Sequence, residues 1–224
     1  MNKIILFLTA CLCFCGCDED YYINKANRYR KLGESEKAIE YYDKALAKNP
    51  DNYEVYIVKG IIYLKMEKNE EAVKTFSEAI ERFPPKAYPY FSRAQSYMRL
   101  EKYEKALEDY NSTLKIVTER ENDLIRLGEG VLPIILKDNI DPYAIYADRA
   151  VAYYYLDSIK PAWIDLNYCI SNSKYLAQCY YCRAFIYFKI DDTRAACDDL
   201  KKAVSLGNTD ASIDYKKYCD CDDN

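Results

Sequence analysis

A 34-residue period governs this chain. Ala26, Gly60 and Ala94 stand 34 residues apart, as do Ala150 and Ala184, while Ala94 and Ala150 are 56 apart, which is 34 plus an insertion of 22. Four residues before these small anchors stand Tyr22, Tyr56, Tyr90, Tyr146 and Tyr180, and three after them Tyr29, Tyr63, Tyr97, Tyr153 and Tyr187. Twelve after comes a small residue, Ala38, Ala72, Ala106, Ala162 or Ala196; sixteen after comes a large one, Tyr42, Phe76, Tyr110, Leu166 or Leu200. Columns that recur at helical spacing in five copies require a repeat array. Each copy then buries its apolar face on its neighbours, so no single central core is needed.

The period and its large and small slots resemble the tetratricopeptide repeat, in which two antiparallel helices meet through a large side chain set into the gap left by a small one. The resemblance covers residues 19 to about 210. It implies an all-α fold, a right-handed α-solenoid of about five helical hairpins with an insertion after the third and a C-terminal capping helix. Two departures stand out. The position before each anchor is basic (Lys25, Lys59, Arg93, Arg149, Arg183) where an apolar residue is expected, and the closing proline is present only as Pro50 and Pro84. A basic side chain can lay its stem on apolar surface with its head in water, so neither departure argues against the fold.

Charge and the N-terminus bound the function. The chain has 32 basic and 36 acidic residues, and a balance this acidic argues against nucleic acid as a partner. Met1 to Lys3 form a short positive head, followed by the apolar run Ile4 to Gly16, which has the length of an export signal and is too short to span a bilayer comfortably. Phe14-Cys15-Gly16-Cys17 resembles a bacterial lipobox, which implies acylation at Cys17 and a protein held at a membrane of the bacterial cell envelope. Leu8-Thr9-Ala10-Cys11 matches the motif more closely, but leaves only a short hydrophobic stretch ahead of it. An ordinary signal peptide cut near Gly16, or an uncleaved anchor, is the alternative.

The expected organisation is a signal peptide over 1–16, three repeats over 17–118, an insertion over 119–140, two repeats over 141–209 and a capping helix with an acidic tail over 210–224. The second helix of repeat three, starting at Tyr103, meets no breaker before Gly128 and is expected to be overlong. The apolar run Val131 to Leu136 in the insertion would be a sticky patch in water. It is expected to dock on the solenoid, on its concave face or over the end of repeat three.

The resemblance also places a partner groove on the first helix of each repeat, at positions six and three before the anchor and one and four after it. From repeat two onward these positions are largely apolar. Ile57, Ile61, Leu64, Tyr88, Phe91, Met98, Tyr154, Tyr181, Phe185 and Phe188 are the candidate groove residues. Such a surface serves equally as packing between adjacent helices or as a seat for an apolar or amphipathic partner segment. The lysine and asparagine clamp of chaperone-binding members is not evident, since Ile23, Val58, Tyr88 and Ser92 occupy most of its slots.

Cys169, Cys179, Cys182, Cys197, Cys219 and Cys221 remain once the signal cysteines and Cys17 are set aside. In an exported chain they are expected to form disulfides pinning the last repeats, with 15 connectivities open. Cys169 occupies a slot held elsewhere by Ala45, Ala79 and Ala203, which makes it a packing residue. A zinc site joining Cys179 and Cys182 to Cys219 and Cys221 would need a finger or ribbon pattern around it; none is present, and no metal is expected. Histidine is absent, as are nucleophile motifs and phosphate-cradling glycine loops, so no enzyme and no cofactor are expected. The function expected is a protein-binding scaffold with a protein or peptide partner, tied to the membrane through its N-terminal lipid. The alternatives are an assembly factor for outer-membrane proteins or pili, and a glycan-binding accessory that uses the aromatic groove.

Overall fold

The computed structural model describes residues 18–127 and 140–219. The signal segment, Cys17, the run 131–136 and Cys221 lie outside the described residues. Within them every regular element is helical: α1 (18–31), α2 (Ser35–Lys48), α3 (Tyr53–Lys65), α4 (Asn69–Arg82), α5 (Ala87–Arg99), α6 (Tyr103–Leu127), α7 (Pro142–Tyr155), α8 (Ile159–Ser171), α9 (Leu176–Lys189), α10 (Thr193–Ser205) and α11 (Thr209–Tyr218). The period thus resolves into five two-helix copies and a final single helix. The expected overlong helix is α6, at 25 residues.

Each copy turns from its first helix to its second at the same place. The residue seven after the anchor has positive φ in all five: Gly33 (79°), Glu67 (58°), Glu101 (56°), Asp157 (59°) and Asp191 (61°). This left-handed residue lets the next amide fold back onto the tyrosine carbonyl three after the anchor, closing the helix end. The bonds are Glu34 to Tyr29 (3.0 Å) and Lys68 to Tyr63, Ser158 to Tyr153 and Asp192 to Tyr187 (each 2.9 Å). Only Gly33 escapes the cost of that conformation, roughly 1–2 kcal/mol for a residue with a Cβ. New helices start on side-chain caps where the sequence supplies them: Asn52 accepts from Val55, Asp141 from Tyr143 ahead of Pro142, Asp192 from Ala195 and Asn208 from Ala211.

The repeat columns are the core. All five residues twelve after the anchor are fully buried alanines, and the large residues sixteen after it (Tyr42, Phe76, Tyr110, Leu166, Leu200) are at most 1% exposed. Nineteen after the anchor, Ala45, Ala79, Thr113, Cys169 and Ala203 fill a fourth buried column. Thr113 keeps its hydroxyl satisfied by donating to the Asp109 carbonyl, 2.7 Å away.

By compactness the chain divides into two units between Leu100 and Glu101, so that the two helices of repeat three fall in different units. In the first unit, α1 and α2 enclose Ala26, Ala38, Ile39 and Tyr42 together with Val55 and Ile62 of α3, and α3 packs on α4 and α4 on α5. Gly60 marks the closest approach: a Cβ there would lie 2.5 Å from the Phe76 ring. In the second unit, α6 packs on α7, α7 on α8, α8 on α9, α9 on α10 and α10 on α11.

The basic residue before each anchor is a rung between helices. The three arginines lie between the two tyrosine columns: Arg93 is over Tyr90 and Tyr97, Arg149 over Tyr146 and Tyr153, and Arg183 over Tyr180 and Tyr187, at 5.2 to 5.8 Å from the ring centroids. The head of each rung reaches a second helix. Lys25 meets the Tyr41 hydroxyl at 3.4 Å, Lys59 donates to Asp43 at 2.5 Å, and Arg93 donates to Ser77 at 2.9 Å. Arg149 makes a two-pronged bond to Asp165 (2.8 and 2.8 Å) and a third to Asn111; Arg183 does the same with Asp199 (2.6 and 2.9 Å) and Asn167. The expectation of heads left in water therefore fails for these arginines, whose side chains are 17% and 12% exposed against aspartates 6% and 3% exposed. The planar guanidinium supplies enough donors to bond two helices at once, which a lysine head does less well. Burial works against the charge on each arginine. The aspartate bonds more than offset it, and both pKa values are raised.

Candidate functional site

The candidate groove residues fall into three settings. Ile57, Ile61 and Leu64 lie on α3, and Tyr88, Phe91 and Met98 on α5; all six are half-buried in the first unit. There Arg99 donates to the Leu64 carbonyl at 2.8 Å, so the end of α3 is capped by the end of α5.

In the second unit the structure brings Tyr154, Tyr181 and Phe185 together around one pocket of about 360 Å³. Val151 and Gln178, also at groove positions, line it as well. The volume lies at the low end of small-ligand pockets, and the walls are mainly aliphatic and aromatic. Period explains how this arises. Tyr154 stands four after its anchor on α7, and Tyr181 and Phe185 three before and one after theirs on α9, so parallel first helices of adjacent copies turn the same face to one cleft. Tyr181 and Phe185 meet edge to face, with centroids 5.1 Å apart.

Phe188 has a different setting. Its ring lies 5.3 Å from Tyr218 of α11 and 6.2 Å from Phe185, so the capping helix covers it. Five lining residues stood outside the groove positions read from sequence: Ala150, Tyr155, Leu166, Cys182 and Ile186. Tyr155 is stacked on Tyr103 (4.7 Å, 6° between planes) yet remains 55% exposed. The groove register did not point to it, because a one-residue step beyond Tyr154 turns about 100° around the helix.

Two polar groups of the pocket, the Tyr181 hydroxyl and the Gln178 amide, are tied down. Tyr181 donates its hydroxyl to Asp214 of α11 at 2.9 Å; burial, then that bond, raises its pKa. Gln178 donates to the Cys182 sulfur at 3.3 Å. Burial, with Asp148 adding to it against the Gln178 bond, pushes the Cys182 thiol up to about 11. A thiol so far above neutrality is a poor nucleophile at pH 7.

The other cysteines serve packing and cross-linking. Cys197 of α10 and Cys219, just after α11, form a disulfide with Cα atoms 5.7 Å apart. It fastens the capping helix to α10, and with the Cys219 sulfur so engaged the four-cysteine set is not available to a metal. Cys169 and Cys179 are free and fully buried, their thiols in contact with each other in the α7–α9 core. Cys179 is raised by that contact and by burial, and Cys169 is lowered by its hydrogen bond from Cys179. Among the described residues no helix is long and apolar enough to cross a membrane.

Comparison with known proteins agrees with this architecture. The tetratricopeptide repeat model matches residues 23–87 and 57–120. No curated protein matches the chain in sequence. Among solved structures, MamA is similar at a TM-score of 0.67 and 16% identity, covering 91% of this chain and 97% of that one. A MamA fragment from Desulfovibrio magneticus RS-1 gives 0.69 at 14% identity, with 84% and 94% covered. YrrB, described as a TPR protein with an unusual peptide-binding site, gives 0.65 at 18% identity, with 88% and 90% covered. The chain thus has the tetratricopeptide-repeat fold, and its repeats are recognisable by sequence across residues 23–120.

Proposed function

We propose that this chain is a non-enzymatic scaffold of the bacterial cell envelope, anchored by lipid at Cys17, that seats an apolar segment of a protein partner between α7 and α9. The observation that carries the partner site is the pocket around Tyr154, Tyr181 and Phe185, an apolar cleft with few polar groups, as helix-in-groove and peptide recognition require. The peptide-binding site named for YrrB, a protein of similar fold, supports a peptide occupant. The anchor rests on the positive head, the apolar run and Phe14-Cys15-Gly16-Cys17.

The test uses the soluble chain from Asp18 as bait for native envelope extract, beside a Phe185→Ala variant matched for helicity and urea midpoint. Phe188 is left intact because it holds the capping helix. A protein partner retained by the parent and lost by the variant supports the reading, and equal retention by both removes the pocket from it. If glycans on an array bind the parent and not the variant, the occupant is carbohydrate and the protein-partner reading falls. For the anchor, growth with an alkyne fatty acid should label the full chain and not Cys17→Ala; an unlabelled parent overturns the lipid.

A further inference from the structure

The open end of the first copy is a second surface, and what covers it follows from the lipid at Cys17, on which this inference rests. Two columns of the first helices face the preceding copy. Five before the repeat anchor stand Tyr21, Val55, Pro89, Ile145 and Cys179, and two after it Arg28, Ile62, Ser96, Ala152 and Ile186. From copy two onward all are at most 3% exposed. Val55 and Ile62 close the core of copy one, and Cys179 and Ile186 that of copy four. Copy one has Tyr21, 53% exposed, and an exposed Arg28 in these slots, with Asn24, Lys31 and Leu32 exposed beside them. All five fall within about 100° around α1, so they form one face. Among the described residues nothing precedes α1 to cover it.

The rungs show what this face lacks. Each later rung sends its head to a polar side chain of the copy before it: Lys59 to Asp43, Arg93 to Ser77, Arg149 to Asn111 and Arg183 to Asn167. Lys25 has no such copy among the described residues, and its ammonium sits between the Tyr21 and Tyr41 rings, 5.1 Å from each centroid. Arg28 and Lys31 pair with no acid among the described residues, and with Asn24 and Leu32 they rim one hollow. The nearby acids are engaged. Lys48 pairs with Asp18 at 3.3 Å, Asn49 and Asn52 bond Glu19, and Glu34 and Glu40 hold Lys37 and Lys44. Asp20 stands apart, about 12 Å along α1 from Arg28. A basic end on a chain of net charge −4 calls for an anionic counterpart.

Cys17 directly precedes α1, and one residue spans at most about 3.6 Å, so a lipid there holds the start of α1 at the headgroups. We propose that the end face of copy one lies on the membrane, where anionic phospholipid headgroups accept from Lys25, Arg28 and Lys31, and Tyr21 and Leu32 sit at headgroup level. Lipid then covers the slots that a neighbouring copy covers elsewhere. The acyl chains hold the protein, and the cations fix which way it faces.

The experiment reconstitutes the full chain, purified in detergent from its envelope, into vesicles of phosphatidylcholine alone or mixed equally with phosphatidylglycerol. Flotation shows whether the chain is held, and acetylation of lysine amines, read by mass spectrometry, shows which are covered. On anionic vesicles Lys25 and Lys31 should react about fivefold more slowly than in detergent, the factor one cation gains at such a surface. Exposed Lys74 should be unchanged. The protection should be weaker on phosphatidylcholine and fall as salt rises from about 50 to about 300 mM. In a variant with Arg28→Glu and Lys31→Glu, both at exposed positions, the rate at Lys25 should be the same on vesicles as in detergent. A chain that floats with neither vesicle overturns the lipid and this inference together. A chain that floats while Lys25 and Lys31 react as in detergent, or equally on both lipids, overturns the end face and leaves the lipid standing. Protection in detergent that rises with protein concentration assigns the face to a second copy and overturns the proposal as well.

Discussion

The two units solve the same repeat with different residues. In the first, two of the three rungs before the anchors are lysines, and Lys25 and Lys59 reach a tyrosine hydroxyl and an aspartate 52% exposed. In the second they are Arg149 and Arg183, each holding a nearly buried aspartate by two bonds and an asparagine by a third. The exits from the second helices differ too. Asn49 and Phe83 leave α2 and α4 in extended conformation and run into Pro50 and Pro84. After α8 and α10 the chain instead passes through left-handed Ser173 (54°) and Gly207 (89°), with Lys174 and Asn208 amides returning to the Cys169 and Ala203 carbonyls. The missing closing prolines are thus replaced by a second chemistry that ends a helix equally well. The difference teaches that a repeat constrains the job done at a position more tightly than the residue type that does it.

The sharpest way to break the comparison is to remove the acid from one rung in each unit. Asp199→Ala leaves the Arg183 guanidinium, 12% exposed, without its carboxylate. A loss of about 3–5 kcal/mol is expected, as for other buried pairs broken on one side. Asp43→Ala in the first unit removes an acid already half in water, and should cost less than about 1 kcal/mol. Urea unfolding of the two variants measures both, and similar losses would show that the arginine rungs are no more structural than the lysine one.

Next in size is the cross-link. Among the described residues every cysteine lies in the second unit, and Cys197–Cys219 closes a loop of sequence separation 22. Chain entropy alone makes such a loop worth about 3 kcal/mol. Cys219→Ser should therefore lower the urea midpoint of α10 and α11 as followed by amide exchange, and leave exchange in α1 to α4 unchanged. Loss of protection in both regions would mean that the chain unfolds as one block.

A smaller effect is expected where the first unit is tightest. Gly60→Ala sets a methyl 2.5 Å from the rigid, fully buried Phe76 ring, and overpacking of this kind costs about 1–3 kcal/mol. Repeats four and five already combine an alanine anchor with leucine sixteen later, Ala150 with Leu166 and Ala184 with Leu200. The double variant Gly60→Ala, Phe76→Leu should accordingly be more stable than the sum of the two single changes. An additive double-mutant cycle would place the strain somewhere other than this contact.

The architecture was legible because its columns are spaced by helix geometry and hold side chains of fixed size, so Gly60, Ala72 and Phe76 announce one contact before any coordinates exist. The basic rungs were visible as a column but were read as stems with solvated heads. Their partners Asp165 and Asp199 lie 16 residues on, across a helix interface that no single-helix pattern displays. Connectivity among six cysteines is equally invisible from spacing, since it depends on which sulfurs the packing brings together. The groove was legible to the extent that it repeats. Tyr154, Tyr181 and Phe185 followed from register, whereas Phe188 is covered by Tyr218 of a helix outside the period, and Cys182 enters from the position two before the anchor, which was not among the groove positions.

The smallest expected effect bears on the exits. Ser173 holds φ at 54° where its counterpart in the next copy is Gly207, and a side chain in that region is strained by roughly 1–2 kcal/mol. Glycine removes the strain but loses more entropy on folding, so Ser173→Gly should stabilise the chain by only about 0.5 kcal/mol. Asn49 holds the same register in the first unit with φ at −135°, an extended backbone in which glycine gains nothing. Asn49→Gly would also remove the side-chain oxygen that accepts from the Asp51 amide at 3.0 Å and the amide group that donates to Glu19 at 2.9 Å. One substitution at one repeat position should therefore raise the urea midpoint in the second unit and lower it in the first. Changes of the same sign at both sites would mean that the two exits share a conformation in solution, and that the proline and left-handed endings are not two distinct solutions.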